Sequence, residues 1–339
     1  MKIAFINLYQ GKVNRGAETF VSDLSKRLSK DNKVDVIGGG ARALPRWPFL
    51  WRFFLDPNGI VVGWFTLKNI PKILKEKYDV IIPLNGGWQV GLVRIITWLY
   101  GGKMVISGQS GVGWDDRNNL WSFPDCFVSI SSKALDWAKR ANPFVRVEHI
   151  PNGVDLNKFS PGGDKIKISL KGPIILCVAA LTAQKRINLA IDAAALLGDS
   201  SLMVIGDGEL KDELEVYGKA KLGSRFSILS FRHDDMPKVY RAVDVFTLPS
   251  SPMHSFEIAI IEAMATNLPV VVTDDPIRRE IVGNSGIFTN PTDIKDYSLC
   301  LKKASNLNLG GAPRREAENY DWNKIAESYN KLFKSIITK

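Results

Sequence analysis

Twelve short apolar, β-branched runs, most of them separated by stretches with helical spacing, constrain this chain more than any other feature. They fall at 2–8, 34–38, 79–84, 103–107, 126–130 and 145–150, then at 173–179, 201–206, 226–230, 244–248, 269–273 and 286–288. Helical patterns occupy 17–29, 133–141, 186–197, 212–220 and 256–266, among others. Alternation of this kind predicts parallel sheets covered by helices on both faces. At 339 residues the chain is too long for one ordinary core. The turn-rich run Ser160-Pro161-Gly162-Gly163-Asp164 supplies a boundary. The expected class is α/β, with two doubly wound parallel-sheet domains facing a central cleft. Residues 1–160 form the first domain and 161–318 the second. In the tail, 319–339, residues Ile325, Tyr329, Leu332, Phe333 and Ile336 repeat at helix spacing.

Composition narrows the class of protein. No apolar run approaches the ~18 residues that a membrane span needs. The start, Met-Lys-Ile-Ala-Phe-Ile-Asn-Leu, has no small-residue cleavage site after it and reads as a first strand, not a signal peptide. Three widely spaced cysteines, two of them in expected strands, suit buried thiols and a reducing cytoplasm. Residues 1–160 carry 22 basic and 13 acidic side chains, against 23 and 22 in the remainder. A basic first half suits an anionic partner surface, or serves solubility alone. No nucleic-acid motif accompanies the charge, so nucleic acid is not an expected partner. The segment 42–55 mixes Arg, Trp and Phe. Interfacial membrane segments use that combination, and so does core packing beneath a long loop.

Chemistry concentrates at 249–274. A strand at 244–248 runs into a turn-rich loop, a helix begins near Phe256, and Pro269 opens the next strand. That order places a helix N-terminus at the carboxyl edge of a parallel sheet, where backbone N–H groups favour an anion. Glu262 sits in the run Ile-Ala-Ile-Ile-Glu-Ala-Met-Ala, where a carboxylate is costly unless hydrogen-bonded. A ligand's hydroxyl pair or a protein partner would serve.

The stretch resembles the donor-site segment of retaining GT-B glycosyltransferases of family four. That pattern has two Glu residues eight positions apart with Phe and Gly between them, then Glu-Ala-Met-Ala, then Gly-x-Pro-Val-Val. Phe256, Glu262, Ala263, Met264, Ala265 and Pro269-Val270-Val271 match. His254 stands at the first acid, Glu257 at the Gly, and Asn267 at the later Gly. The resemblance implies a GT-B fold of two Rossmann-like domains, with the final helix crossing back to the first. It also implies that Phe256, Ile258 and Glu262 contact a nucleotide-sugar donor. His254, with Glu257 three residues on, would lie at the reacting face. An imidazole there can donate or accept a hydrogen bond but does not reproduce a permanent carboxylate.

Other segments carry the resemblance more lightly. Gly16 opens the first helix, where a Gly lets backbone approach a phosphate. Ile150-Pro151-Asn152-Gly153-Val154-Asp155 matches a junction segment, although Asn-Gly also makes an ordinary tight turn. In Ala180-Leu181-Thr182-Ala183-Gln184-Lys185-Arg186 the family has Arg then Lys facing the diphosphate. Ala180 replaces the Arg and Lys185 keeps the Lys, a point charge suited to phosphate. Arg186, at a family Gly, could supply the missing charge. Gly206, Phe231 and Arg232 would flank the base, unless Gly206 serves only a turn. His233-Asp234-Asp235 are adjacent, and adjacent side chains rarely converge on one ion, so no metal site is expected. The family's N-terminal His is absent, because no His precedes His149. Gln109, Asp115 and Asp116 are the acceptor-side candidates.

Taken with the resemblance, these residues imply metal-independent transfer of a sugar, with retention, from a nucleotide-diphosphate sugar to an acceptor hydroxyl of a glycan or lipid-linked precursor. No cofactor beyond that donor is expected. Peripheral attachment at the inner membrane face, through 42–55, follows from the same reading. A non-catalytic nucleotide-sugar-binding protein or a nucleotide-sugar epimerase on the same scaffold remain the alternatives.

Overall fold

The computed structural model describes residues 1–338 except 13–15, 42–43, 45–46, 48 and 254–255. The chain divides into two compact units, Met1–Asn152 with Trp322–Lys339, and Gly153–Asp321. Sequence reading sets the divisions at 160 and 318. The turn at 160–164 lies inside the second unit because the residues before it are tied there. The Val154 amide donates to Tyr320 O at 2.8 Å, and Arg314 donates to Leu156 O at 2.9 Å.

The first unit runs β1 (Lys2–Asn7), α1 (Gly16–Leu28), β2 (Lys33–Gly38), α2 (Pro57–Glu76), β3 (Val80–Pro83) and α3 (Trp88–Tyr100). It continues with β4 (Lys103–Ser107), α4 (Trp114–Trp121), β5 (Cys126–Ser129), α5 (Ser132–Ala141) and β6 (Val147–His149). The strands form one parallel sheet in the order β2-β1-β3-β4-β5-β6. Alternation along each strand feeds two cores. Ile3 and Phe5 face α1 residues such as Phe20, while Ala4 and Ile6 join the cluster holding Ile73 of α2 and Val93 of α3.

The second unit runs β7 (Ile174–Val178), α6 (Ile187–Ala195), β8 (Ser201–Ile205), α7 (Lys211–Leu222), β9 (Phe226–Leu229), α8 (Met236–Tyr240) and β10 (Val245–Leu248). Then follow α9 (Ile258–Ala265), β11 (Val270–Thr273), α10 (Pro276–Val282), β12 (Ile287–Thr289), α11 (Ile294–Ser305) and α12 (Ala312–Ala317). Its sheet is again parallel, in the order β12-β11-β10-β7-β8-β9. Each of the twelve expected strands overlaps an observed one, and the expected class of two doubly wound parallel sheets is the class adopted.

Strand order locates the places where a ligand can enter. The order in which strands are added reverses between β1 and β3 in the first sheet and between β7 and β10 in the second. At such a switch point neighbouring loops leave in opposite directions and open a crevice at the carboxyl edge. The last helix, α13 (Trp322–Ile337), returns to the first unit, where Trp322, Tyr329 and Phe333 join the core on the α1 face.

Candidate active site

The loops after β7 and β10 meet at the switch point of the second sheet. Arg186 staples them, its Nε donating to Pro249 O and its NH2 to Ser250 O, both at 2.8 Å. The Ser251 amide donates to Gln184 O at 2.8 Å. The guanidinium expected to face a diphosphate is therefore committed to main-chain carbonyls. Burial, followed by the charge of Arg278, lowers its pKa.

Glu257 caps α9 and points into this staple. Its Oε1 lies 2.7 Å from Lys185 Nζ and 3.1 Å from Arg278 NH2. Arg278, from α10, in turn reaches Asp275 Oδ2 at 2.6 Å. The side chains of Glu257 and Arg278 are 2% and 0% exposed, and that of Lys185 is 13% exposed. Burial pushes the Glu257 carboxyl up. The Lys185 ammonium and the Arg278 guanidinium outweigh it and hold the group below its ordinary range. Three cations (Lys185, Arg186, Arg278) thus surround two carboxylates (Glu257, Asp275), an excess of positive charge at the edge where an anion is favoured.

The backbone here takes Gly-like conformations at three residues that are not Gly. Arg186, Glu257 and Asn267 stand at Gly positions of the resembled pattern, and their φ values are 49°, 60° and 62°. Only Gly adopts this region without cost, so each substitution carries local strain of about 1–2 kcal/mol, less for Asn.

Glu262 is buried on α9. Its Oε2 accepts from the Tyr240 hydroxyl at 2.8 Å, and its Oε1 lies 3.8 Å from His233 Nδ1. Protein partners therefore meet the requirement that its apolar setting imposes. Burial, then the Glu262 charge, raises the Tyr240 pKa well above its ordinary value, so the phenol stays a donor. Phe256 is buried with its ring 5.6 Å from that of Tyr320, and Ile258 is the first residue of α9. At Gly206 an added Cβ would stand 1.8 Å from Ala179 O, so close packing at the strand ends dictates this Gly. Phe231 is half-buried and the Arg232 side chain is 85% exposed. His254 lies outside the described residues.

The acceptor-side candidates belong to the first unit. Gln109 and Asn152 exchange reciprocal amide bonds, each 3.0 Å, and Gln109 Nε2 also donates to Ser107 Oγ at 2.8 Å. Asn152 is thus a structural partner of Gln109. Asp115 and Asp116 open α4. Asp115 is half-buried, whereas Asp116 is buried against Asn119. Burial pushes the Asp116 carboxyl up to about 7, with Asp115 adding to the rise and hydrogen bonds from Asn119 and the Gly111 backbone opposing it. Gly16 is the exposed first residue of α1. In the 42–55 segment Trp47, Phe49 and Phe53 are exposed while Trp51 and Phe54 are half-buried, so core packing does not account for the first three.

Sequence reading missed Arg278, Asp275 and Tyr240. The first two had a signal. Asp275-Pro276 is a helix start, and an Arg two residues later on a helix otherwise rich in Ile and Val invites a buried carboxylate partner. Among the described residues no three His, Cys, Asp or Glu side chains converge as a metal site.

A family model described as glycosyl transferases group 1 matches residues 172–305. Over 298 residues the chain is 33% identical to the UDP-Gal:alpha-D-GlcNAc-diphosphoundecaprenol alpha-1,3-galactosyltransferase of Escherichia coli, covering 78% of this chain and 75% of that one. Over 193 residues it is 28% identical to a sulfoquinovosyl transferase of Arabidopsis thaliana, covering 50% of this chain and 36% of the plant enzyme. Among solved structures, Anabaena HepE in complex with UDP and glucose superposes with a TM-score of 0.76 at 18% identity, covering 99% and 100% of the two chains. At that identity the likeness speaks for the fold alone, which is GT-B. Sequence kinship across three quarters of the bacterial relative carries the assignment further: the chain belongs to the group 1 glycosyl transferases.

Proposed function

We propose that the protein transfers a sugar from a UDP-sugar to a hydroxyl of a lipid-linked or glycan acceptor, with retention of configuration and without a metal. The observation that supports this reading most is Lys185 held at the switch point of the second sheet, in a member of this family. The names of the relatives agree with it. One uses UDP-Gal and a diphosphoundecaprenol acceptor, and HepE was solved with UDP and glucose.

In this reading Lys185 and the first amides of α9, from Ile258 onward, carry the charge that develops on the departing diphosphate. Preorganised donors of this kind lower the barrier because they need no reorientation as charge builds. The bond from the anomeric carbon to the diphosphate oxygen breaks. The acceptor oxygen bonds the same carbon, and its proton passes to the departing phosphate. Glu262 would take the ribose hydroxyls, with Gly206, Phe231, Arg232, Phe256 and Ile258 around the nucleotide and Gly16 at the diphosphate. His254 would stand beside the donor sugar, with Glu257 acting on Lys185. Gln109, Asp115 and Asp116 would line the acceptor side. The exposed aromatic residues of 47–53 support the anionic membrane surface expected of that segment.

Transfer from a panel of labelled UDP-sugars to a diphosphate-linked glycolipid acceptor, followed by determination of the product's anomeric configuration, tests the reading. An α-linked product from an α-linked donor is expected. UDP binding without transfer from any donor, in wild type and in His254→Glu alike, would overturn it.

A further inference from the structure

Helix α2 is apolar on two sides. Its inner side buries Val62, Gly63, Thr66 and Ile73. A second side exposes Ile60, Trp64, Leu67, Pro71 and Leu74, which recur at the spacing of one helical face. Trp64 is 58% exposed. Helix α3 repeats the arrangement, exposing Ile95, Trp98 and Leu99, with Trp98 at 62%. The helices are neighbours: a Cβ on Gly63 of α2 would lie 3.2 Å from Trp88 Cβ of α3. Single exposed apolar residues are ordinary on a protein surface, but five along one face of a helix, with three more on the helix packed beside it, are not.

The same face is held rigid and joined to the aromatic segment before it. Asp56 caps α2 by accepting from the Gly59 amide at 2.9 Å. The Trp88 indole donates to Phe54 O at 2.9 Å. A Cβ at Gly59 or Gly87 would strike Phe54, so these glycines let the 50–54 turn and the starts of both helices close on one another. Exposed Phe49 and Phe53 belong to the segment that these contacts tie to the starts of both helices.

Charge identifies the occupant. Exposed Lys68, Lys72, Lys75 and Lys77 follow the stripe along α2, and the one acid of that helix, Glu76, is half-buried beside Lys2 and Lys33. Lys68 lies 5.4 Å from the Trp64 ring. Arg94 stacks 4.7 Å from the Trp98 ring but is committed to Asp125, so the charge offered here is that of the Lys side chains. Protein interfaces are depleted in Lys at their core. An anionic bilayer surface takes this mixture, with Trp and aliphatic side chains in the headgroup region and Lys beside phosphate. Among the described residues no helix is long and apolar enough to cross a membrane, so the face would lie on the bilayer.

We infer that the outer face of α2 and α3, continuous with the aromatic 49–53 turn, docks the first unit on an anionic lipid bilayer. The inference extends the membrane reading given for 42–55 and does not depend on the sugar-transfer chemistry. It is tested by co-sedimentation with phosphatidylcholine vesicles and with vesicles that are about one third phosphatidylglycerol. Wild type, Trp64→Ser with Trp98→Ser, and Lys68→Glu with Lys72→Glu are compared. Wild type is expected to partition at least about tenfold more onto the anionic vesicles, with a blue shift in Trp fluorescence. Each double variant should lose about tenfold or more of that partitioning while its UDP-induced thermal shift is unchanged. Should the Trp variant fail to fold, the Lys variant gives the same readout with the apolar face intact. Equal partitioning of wild type and the Trp variant, or none by wild type, overturns the inference. A concentration-dependent dimer that the Trp variant abolishes also overturns it, in favour of a second copy. Loss of the UDP shift in wild type would instead defeat the sugar-transfer reading and leave the vesicle result standing.

Discussion

Lys185 Nζ and Glu257 Oε1, 72 residues apart in sequence, lie 2.7 Å apart where the second sheet reverses its strand order. The carboxylate stands where the resembled pattern has Gly, so this chain has added an internal anion beside the cation expected to meet a diphosphate. Arg278 shares the same oxygen at 3.1 Å, and Asp275 balances Arg278. Removing the central carboxylate should cost more than removing either end, because it takes the shared anion from two cations at once.

Glu257→Gln is accordingly expected to lower unfolding free energy by about 3–5 kcal/mol in urea melts, and Lys185→Ala by less, since Arg278 still faces Glu257. The folded pKa of Glu257 is depressed. Its contribution is therefore present above the ordinary glutamate value of 4.5 and is lost as pH falls through the lower folded value. Wild type should lose stability in that acid window more steeply than Glu257→Gln. Equal stabilities at pH 7 would mean that the network contributes nothing net.

Lys185→Ala should also weaken UDP much more than uridine, because in the proposed reading the lost charge faces phosphate. Calorimetric titration of both ligands gives the comparison. Equal losses for the two would remove Lys185 from the diphosphate.

Glu262→Gln should reduce UDP affinity by about tenfold or more, the worth of one charge-assisted hydrogen bond. Tyr240 can still donate to the amide oxygen, so the fold is expected to survive. Unchanged affinity in a folded variant would assign Glu262 to Tyr240 and His233 alone.

Asp116 gives a pH dependence of opposite sign. Its folded pKa is raised from 3.8 to about 7. Between those values the folded chain holds a proton that the unfolded chain has released, so stability falls as pH rises, on the order of 1 kcal/mol per unit, and levels off above pH 7. Asp116→Asn should remove that slope in denaturant melts taken from about pH 4 to about pH 7. An identical slope in the variant would show that Asp116 is ionised in the fold.

Asn267→Gly should leave stability unchanged or raise it by up to about 1 kcal/mol, while Asn267→Ala lowers it by about 1 kcal/mol, because φ at this position is 62°. Thermal melts of the two variants suffice. The same ranking reversed would show that the Asn side chain, not its backbone tolerance, holds the turn.

Much of the architecture was legible because strand signals are local. Runs such as Val270–Thr273 and Ile174–Val178 are almost wholly apolar, as strands buried on both faces are, and Pro precedes each. The 249–274 segment was legible for a different reason. Its motif is recognisable from Phe256, Glu262 and Pro269, and Glu257 and Asn267, at the pattern's Gly positions, both take the positive φ that Gly favours. Ion pairing was not legible. Nothing local in Lys185 points to Glu257, and Arg278 becomes a partner only after β11 and β10 are side by side. The exposed stripe on α2 was hidden too, since a helix apolar on two sides gives no clean periodic signal and 57–76 went unmarked as a helix.

The first unit cannot complete its interior until α13 has left the ribosome. The core on the α1 face of the first unit contains Phe5 and Phe20 from the chain's beginning and Trp322, Tyr329 and Phe333 from α13. Translation delivers residues 153–321 between these two contributions. The second unit is thus wholly synthesised while the first still lacks a wall of its interior. Domains ordinarily fold as they emerge, N-terminal first. Here the nascent first unit must wait, half-covered, and the part of the protein made later is the part that can be finished earlier.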